Sequence, residues 1–113
     1  MSDQFSQAVE QWDALDLDDL LLVIGREASA GGVPMEPAKL KQFAMTVVRG
    51  WYKTVRRHIC FGSARDREDL FEYMNDIALA VDVQTAIYGG VPVSQLAVAS
   101  FKYGVRALCE ETG

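Results

Sequence analysis

The tetrapeptide Gly-Gly-Val-Pro occurs twice in this chain of 113 residues, at positions 31–34 and 89–92. Each copy separates two segments whose apolar residues recur with a helical period. Glycine tolerates the left-handed backbone that ends many helices, and proline suits the first turn of the next helix. The repeat therefore predicts an all-α fold in which two helix pairs share one type of connector.

Apolar spacing places the helices within this scheme. A short N-terminal helix is predicted over residues 3–13, a first helical hairpin over 17–60, and a second over 63–111, whose first helix runs to residue 88. The four main helices form a bundle-like arrangement. Because half of the chain is apolar, residues 1–113 suffice for one domain with one core.

Some single positions carry more specific predictions. Asp16 is expected to cap the second helix, and Ser63 with Asp66 to form a capping box before the fourth. Trp51 lies on the apolar face of the third helix and is expected in the core. Gly104 falls inside the predicted fifth helix, where it permits close packing of a neighbouring helix.

Placing residue n on residue n+58 superimposes the two connectors and matches apolar residues around them, such as Leu21 with Leu79. An internal duplication with pseudo-twofold symmetry explains this match. The other explanation is that two amphipathic helix pairs coincide at apolar positions with a generic turn between them. The sequence leaves both open and favours the second.

Charge is divided into three blocks. Residues 1–25 carry six acids and no base, residues 39–67 carry eight Lys and Arg and one acid, and residues 68–82 carry five acids and no base. The net charge is −5. Because an acidic surface repels phosphate, this charge argues against general binding to nucleic acid.

The basic block supplies one face of the third helix, opposite its apolar stripe. This candidate interaction face consists of Arg49, Lys53, Arg56 and Arg57. We expect it to meet an acidic surface, either on a partner protein or within the chain. The candidate acidic counter-face consists of Asp16, Asp18, Asp19, Glu68, Glu72 and Asp76.

The cysteines and the single histidine limit the possible chemistry. Cys60 and Cys109 have no CxxC spacing and are expected to be free thiols in the core. His58 is expected to interact with a helix C-terminus rather than to act as a base. One His and two separated Cys cannot form a standard zinc set, and no glycine-rich phosphate loop is present. We therefore predict no catalytic residues, no metal and no cofactor.

These observations favour a protein–protein interaction module, namely an adaptor, regulator or small assembly subunit without catalytic activity. Self-association as a homodimer is expected, since the wide apolar stripes exceed what four helices bury and twofold dimers are the commonest oligomers. The alternative is a nucleic-acid-associated regulator that uses the basic face around residues 39–59. A third interpretation is a small ligand-binding or enzymatic bundle, with a pocket lined by Tyr73, Tyr88, Tyr103 or Cys109.

The same sequence predicts no membrane partner. No apolar run approaches the roughly 20 residues that cross a bilayer. The first 25 residues contain no Lys or Arg, so they lack the basic region of a signal peptide. A cytoplasmic location is expected.

Overall fold

The computed structural model describes residues 3–29 and 36–113, and the side chains of these ranges from residue 7 onward. It is 75% helix and 4% strand, which confirms the all-α class. The helices are α1 (Asp3–Asp13), α2 (Leu17–Ser29), α3 (Pro37–Cys60), α4 (Leu70–Ala78), α5 (Val93–Tyr103) and α6 (Val105–Thr112). A 3-10 turn covers Ser63–Asp66, and two short strands are β1 (Ile87–Tyr88) and β2 (Val91–Pro92). The first Gly-Gly-Val-Pro segment lies outside the described residues.

The core is organised around α5, which contacts each of the other five helices. Its residues 93–100 are buried without interruption. Small side chains such as Ala97 and Ala99 allow neighbouring helices to approach on every side, as is typical of a helix without a polar face. The one deeply buried hydroxyl in its last turn, that of Ser100, donates to the Ala97 carbonyl at 2.6 Å and bonds the Tyr73 hydroxyl at 2.8 Å. Helix α5 is therefore mostly apolar, and its buried Gln95 donates to Glu27 of α2 at 3.2 Å while the side-chain oxygen of Gln95 has no hydrogen-bond partner among the described residues.

The most extensive helix pair is α2 with α3. The two helices approach at backbone distance, because a Cβ atom on Gly25 would lie 2.6 Å from the carbonyl oxygen of Leu40. Two predictions in this region are confirmed. Asp16 caps α2 by accepting a hydrogen bond from the backbone N–H of Asp19 at 2.8 Å, and Trp51 is only 3% exposed.

Helix α4 starts later than the predicted fourth helix. The capping box predicted at Ser63 is wrong, because this segment forms the 3-10 turn and the Ser63 hydroxyl donates to Asp76 at 3.0 Å. The cap of α4 is Asp69, whose carboxylate accepts from the backbone N–H of Glu72 at 3.0 Å. The sequence contains two residues that can cap this helix, and α4 begins at the second, Asp69, six residues after Ser63.

Helix α4 also ends ten residues earlier than predicted. The carboxylate of Asp82 accepts hydrogen bonds from the backbone N–H groups of Gln84 and Thr85, at 2.9 and 3.0 Å. A short acidic side chain that bonds the backbone in this way stabilises a turn at the expense of a helix. The predicted helix to residue 88 is therefore wrong.

The second Gly-Gly-Val-Pro segment forms the turn and the second strand of a β-hairpin and is not a helix–helix connector. Strands β1 and β2 pair antiparallel, with Tyr88 opposite Val91. Gly89 and Gly90 have φ values of 60° and 83°. Positive φ at both central residues defines the type I′ hairpin turn, which glycine adopts without strain.

The predicted fifth helix is divided in two at Gly104, whose φ of 130° is incompatible with a helix. The second half of the chain thus consists of α4, the β-hairpin, α5 and α6, instead of one helical hairpin over 63–111. Residues 75–87, which the n+58 alignment places on α2, are helical only to residue 78. The two halves do not share a secondary structure, and this disfavours the duplication.

Candidate interaction surface

Arg49 of the predicted basic face is held by α6. Its Nε donates to the Glu111 carboxylate at 3.0 Å, and its guanidinium lies 5.8 Å above the ring of Tyr103. The bonds to Glu111 and Tyr103 raise the pKa of Arg49, and those from Tyr103 and Arg49 lower the pKa of Glu111. Because both charged groups are well exposed, the pair contributes modestly to stability. Arg49 connects α3 to α6.

Arg56 also bonds α6. Its Nε and Nη2 donate to the carbonyl oxygen of Cys109, at 3.4 and 3.3 Å. This carbonyl belongs to the last turn of α6, where helical carbonyls lack intrahelical partners. On its other side, the guanidinium stacks 5.3 Å from the ring centre of Phe61. Arg56 therefore satisfies a helix end and supports an aromatic side chain.

Lys53 and Arg57 differ from these two residues, because both are exposed and neither forms an ion pair within the described part of the chain. Phe61, just after the end of α3, is 75% exposed. The side chains around it enclose a depression of about 490 Å³, lined by Lys53, Thr54, Arg56, Arg57, His58 and Phe61. This end of α3 thus presents unpaired positive charge beside an exposed aromatic ring.

A neighbouring depression of about 380 Å³ extends the positive charge toward α6. Arg56 and Phe61 line both depressions, and Arg65 and Arg106 line the second. Arg106 pairs with Asp66 at 2.9 Å, with both side chains more than half exposed. We define the basic surface as these two depressions, with five bases around Phe61: Lys53, Arg56, Arg57, Arg65 and Arg106.

The six acids of the candidate counter-face lie elsewhere or have other partners. Asp16 caps α2 and Asp18 pairs with Lys41 at 3.7 Å. Glu72 and Asp76 both pair with Arg67, at 3.3 and 2.7 Å, and the bond from Arg67 lowers the pKa of Asp76. Asp19 and Glu68 are exposed, and Glu68 lines a further depression together with Arg65 and Arg106 of the basic surface. Among the ion pairs of the described residues, none joins this counter-face to Arg49, Lys53, Arg56 or Arg57; Glu111 of α6 is the acid that meets Arg49.

The expectation of two free thiols is wrong. Cys60, the last residue of α3, forms a disulfide with Cys109 of α6. The two residues are 49 positions apart, but the packing of α6 against α3 brings their Cα atoms to 5.7 Å, within bonding range. The spacing of two cysteines in a sequence does not show whether the fold brings them together, so this disulfide could not be predicted from it.

The residues of the ligand-binding interpretation are dispersed. Tyr73 lies in the core and bonds Ser100, Tyr103 packs with Arg49, and Cys109 is disulfide-bonded. Tyr88 lies on the hairpin, and its hydroxyl packs closely against Gly50 of α3: a Cβ atom added to Gly50 would lie 2.9 Å from it. His58 is exposed in the last turn of α3, a position that suits a favourable contact with the helix dipole.

Three residues of the basic surface were not predicted: Phe61, Arg65 and Arg106. The sequence gives a weak indication that Phe61 is exposed. An aromatic residue between the end of an amphipathic helix and Gly62 has little neighbouring structure to cover it. The positions of Arg65 and Arg106 depend on the 3-10 turn and on the break at Gly104. Neither of these features was predicted.

The fold and the surface define the chain as a small, mostly helical domain with a basic, aromatic patch. Comparison with protein-family models, with curated proteins and with solved structures gives no significant match. Over residues 3–29 and 36–113, no helix is long and apolar enough to cross a membrane. The same ranges contain no cluster of three or more His, Cys, Asp or Glu that could hold a metal ion.

Proposed function

We propose that this chain is a protein–protein interaction module whose basic surface binds an acidic protein surface. The observation that carries the proposal is that Lys53 and Arg57 lie beside the exposed ring of Phe61. Both bases are exposed, and neither has an acidic partner in the described structure. Arginine and aromatic side chains dominate the binding energy of many protein interfaces. Complementary charge increases the rate and the specificity of the encounter.

A second copy of the chain offers one such acidic surface. The exposed acids of α1 and of the start of α2 are Glu10, Asp13, Asp16, Asp18 and Asp19. Asp18 lies near the start of α3, as its pair with Lys41 shows, whereas Arg57 is about 24 Å further along this helix. Asp13 of α1 instead pairs with Lys102 of α5 at 3.2 Å. A twofold axis across α3 places the acidic end of each copy on the basic end of the other. The chain is therefore proposed to form a homodimer, without catalytic activity of its own.

Nucleic-acid binding is the second candidate function, and the exposure of Phe61 is the observation in its favour. An aromatic ring among Arg and Lys side chains is typical of surfaces on which single-stranded bases stack. The net charge of −5 opposes it, and the paired acid Asp66 lies at the edge of the surface. An acidic protein surface is the better match, because a compact partner can cover the basic surface alone, whereas an extended phosphate backbone would also pass acids such as Asp66 and Glu110.

The proposed location is the cytoplasm. Disulfides are rare there, and those that occur are mostly transient and redox-active. The proposal of a cytoplasmic protein therefore requires that the Cys60–Cys109 bond can be reduced and re-formed while the chain remains folded.

The test uses the two bases that the fold does not require. Lys53→Glu/Arg57→Glu reverses two charges on the basic surface, and Arg26→Glu/Lys39→Glu makes the same change at two exposed positions outside it. Each protein is titrated against labelled polyglutamate, single-stranded DNA and single-stranded RNA.

We expect wild type and the control to bind polyglutamate, and the Lys53→Glu/Arg57→Glu variant to lose this binding while its helicity is retained. Tighter binding of DNA or RNA, with a log–log salt slope near −0.7 per phosphate contacted, would support the nucleic-acid alternative instead. Binding that the control loses equally, or no binding at all, contradicts both candidates.

A further inference from the structure

The disulfide lies in the wall of a positively charged depression. Cys60 and Cys109 line the cavity of about 380 Å³ that also contains Arg56, Arg65 and Arg106. The two cysteines are 4% and 8% exposed. Both cysteines are nearly covered, and the depression is the side from which a small molecule would approach the disulfide.

We propose that this depression is a thiol–disulfide exchange site for small anionic thiols, that is, thiols of low mass that carry carboxylates. Three arginine side chains against one carboxylate, that of Glu110, give the lining a net positive charge that attracts such a molecule. Clefts lined by one sign of charge raise the local concentration of oppositely charged molecules. The depression is part of the basic surface, so a bound acidic partner would cover it, and the exchange takes place in protein whose basic surface is free.

The reaction proceeds by two exchanges, both by thiolate attack on sulfur. The thiolate of the first molecule attacks the Cys60 Sγ, the Cys60–Cys109 bond breaks, and Cys109 leaves as a thiolate. A second thiolate then attacks the sulfur of the first molecule in the mixed disulfide and displaces Cys60. Two thiols are oxidised to one disulfide, the protein disulfide is reduced by two electrons, and the two protons of the thiols pass to Cys60 and Cys109.

Two groups stabilise Cys109 as the leaving thiolate. The Tyr52 hydroxyl lies 4.0 Å from its Sγ, and burial raises the pKa of Tyr52 to about 12, so this hydroxyl stays protonated and can donate. The Arg56 guanidinium is fixed at the Cys109 carbonyl oxygen by bonds of 3.3 and 3.4 Å. A nearby cation favours the thiolate form of a cysteine.

The experiment compares the reduction of the native protein by glutathione and by cysteamine, an anionic and a cationic thiol, at equal thiolate concentration. Free cysteines are trapped with iodoacetamide and counted by intact mass. At low salt, we expect reduction by glutathione to be at least about tenfold faster, and the ratio to fall with added salt. Arg65→Glu should bring the ratio close to one, and Lys39→Glu, an equal change of charge outside the depression, should leave it unchanged.

Protein unfolded in urea provides the internal reference, because unfolding disperses the arginines that the fold gathers around the disulfide, even though each of them is within five residues of a cysteine in the sequence. The proposal requires the preference for glutathione in the native state and its loss in urea. It is overturned if neither thiol reduces the native protein, or if the native and unfolded ratios agree. Since Arg65 is exposed and has no ion pair in the described structure, circular dichroism should show Arg65→Glu to be folded.

Discussion

At the scale of single residues, Arg49 and Arg56 show that a basic helix face can serve the fold. They bond Glu111 and the Cys109 carbonyl, and so attach α6 to α3. Lys53, one helical turn from each of them, and Arg57, next to Arg56 in the sequence, have no such partners in the described structure. A helical wheel places all four together, because it contains no information about which side chains a later helix contacts.

Gly25 tests the close contact of α2 with α3. Gly25→Ala should destabilise the protein by about 1–3 kcal/mol, because the added methyl would lie 2.6 Å from the Leu40 carbonyl oxygen, which cannot move without α3. Urea denaturation measures the change. Gly50→Ala is the matched control, since its methyl meets only the flexible end of Tyr88 and alanine favours a helix by about 1 kcal/mol. An equal loss in both variants would contradict the close contact.

Tyr52 gives the protein a defined sensitivity to alkali. Its pKa is about 10 in the unfolded chain and about 12 in the fold, because burial disfavours the phenolate. A pKa raised by folding contributes stability that is complete below pH 10 and is lost as the pH rises to 12. Burial also raises the pKa of Tyr73, which adds to the effect.

We therefore expect the helical circular dichroism and the absorbance change of tyrosine ionisation to share one transition in this pH range. Tyr52→Phe should move the midpoint to higher pH. Ionisation of all four tyrosines near pH 10 with the helices intact would contradict the burial of Tyr52 and Tyr73.

At the scale of the elements, the β-hairpin is the feature with the clearest sequence requirement. Gly89→Val should cost about 1–2 kcal/mol, because a side chain at φ 60° is strained even though the nearest atom, on Val47, is at an ordinary 3.5 Å. Gly89→Asn should be close to neutral, since Asn-Gly is a preferred type I′ pair. Thermal unfolding of the two variants checks this, and a helical connector would predict similar losses for both.

The sequence was sufficient to predict those elements that local interactions determine. Helices α2 and α3 have an uninterrupted apolar period, and the cap at Asp16 and the burial of Trp51 follow from it. The region from Leu79 to Tyr88 was not predictable in the same way, because the bonds of Asp82 to the backbone outweigh a periodic apolar pattern. The pair Gly89-Gly90 is equally typical of a helix end and of a hairpin, and only the tertiary context decides between them.

At the scale of the whole molecule, the three blocks of charge in the sequence are only partly separated, because Asp66 and Glu68 line one depression together with Arg65 and Arg106. Asp18 of α2 lies toward the start of α3, Asp13 of α1 pairs with Lys102 of α5, and the basic surface lies at the end of α3. The blocks were visible in the sequence, but the position of α6 was not, since it depends on the break at Gly104 and the disulfide to Cys60. For this reason the sequence indicated a basic face but not the depression, Phe61 or Arg106.

The most direct test of the proposed interaction is the mass in solution of two charge-reversed variants, alone and mixed. Lys53→Glu/Arg57→Glu reverses the charge of the basic end, and Asp18→Lys/Asp19→Lys reverses exposed acids at the other end. The second variant loses the Asp18–Lys41 ion pair, but this pair is exposed and contributes little to the stability of the fold. By light scattering at tens of micromolar and low salt, we predict a dimer for wild type, monomers for each variant, and a dimer again when the two variants are mixed. A monomeric wild type, or variants that remain dimeric, would contradict the account.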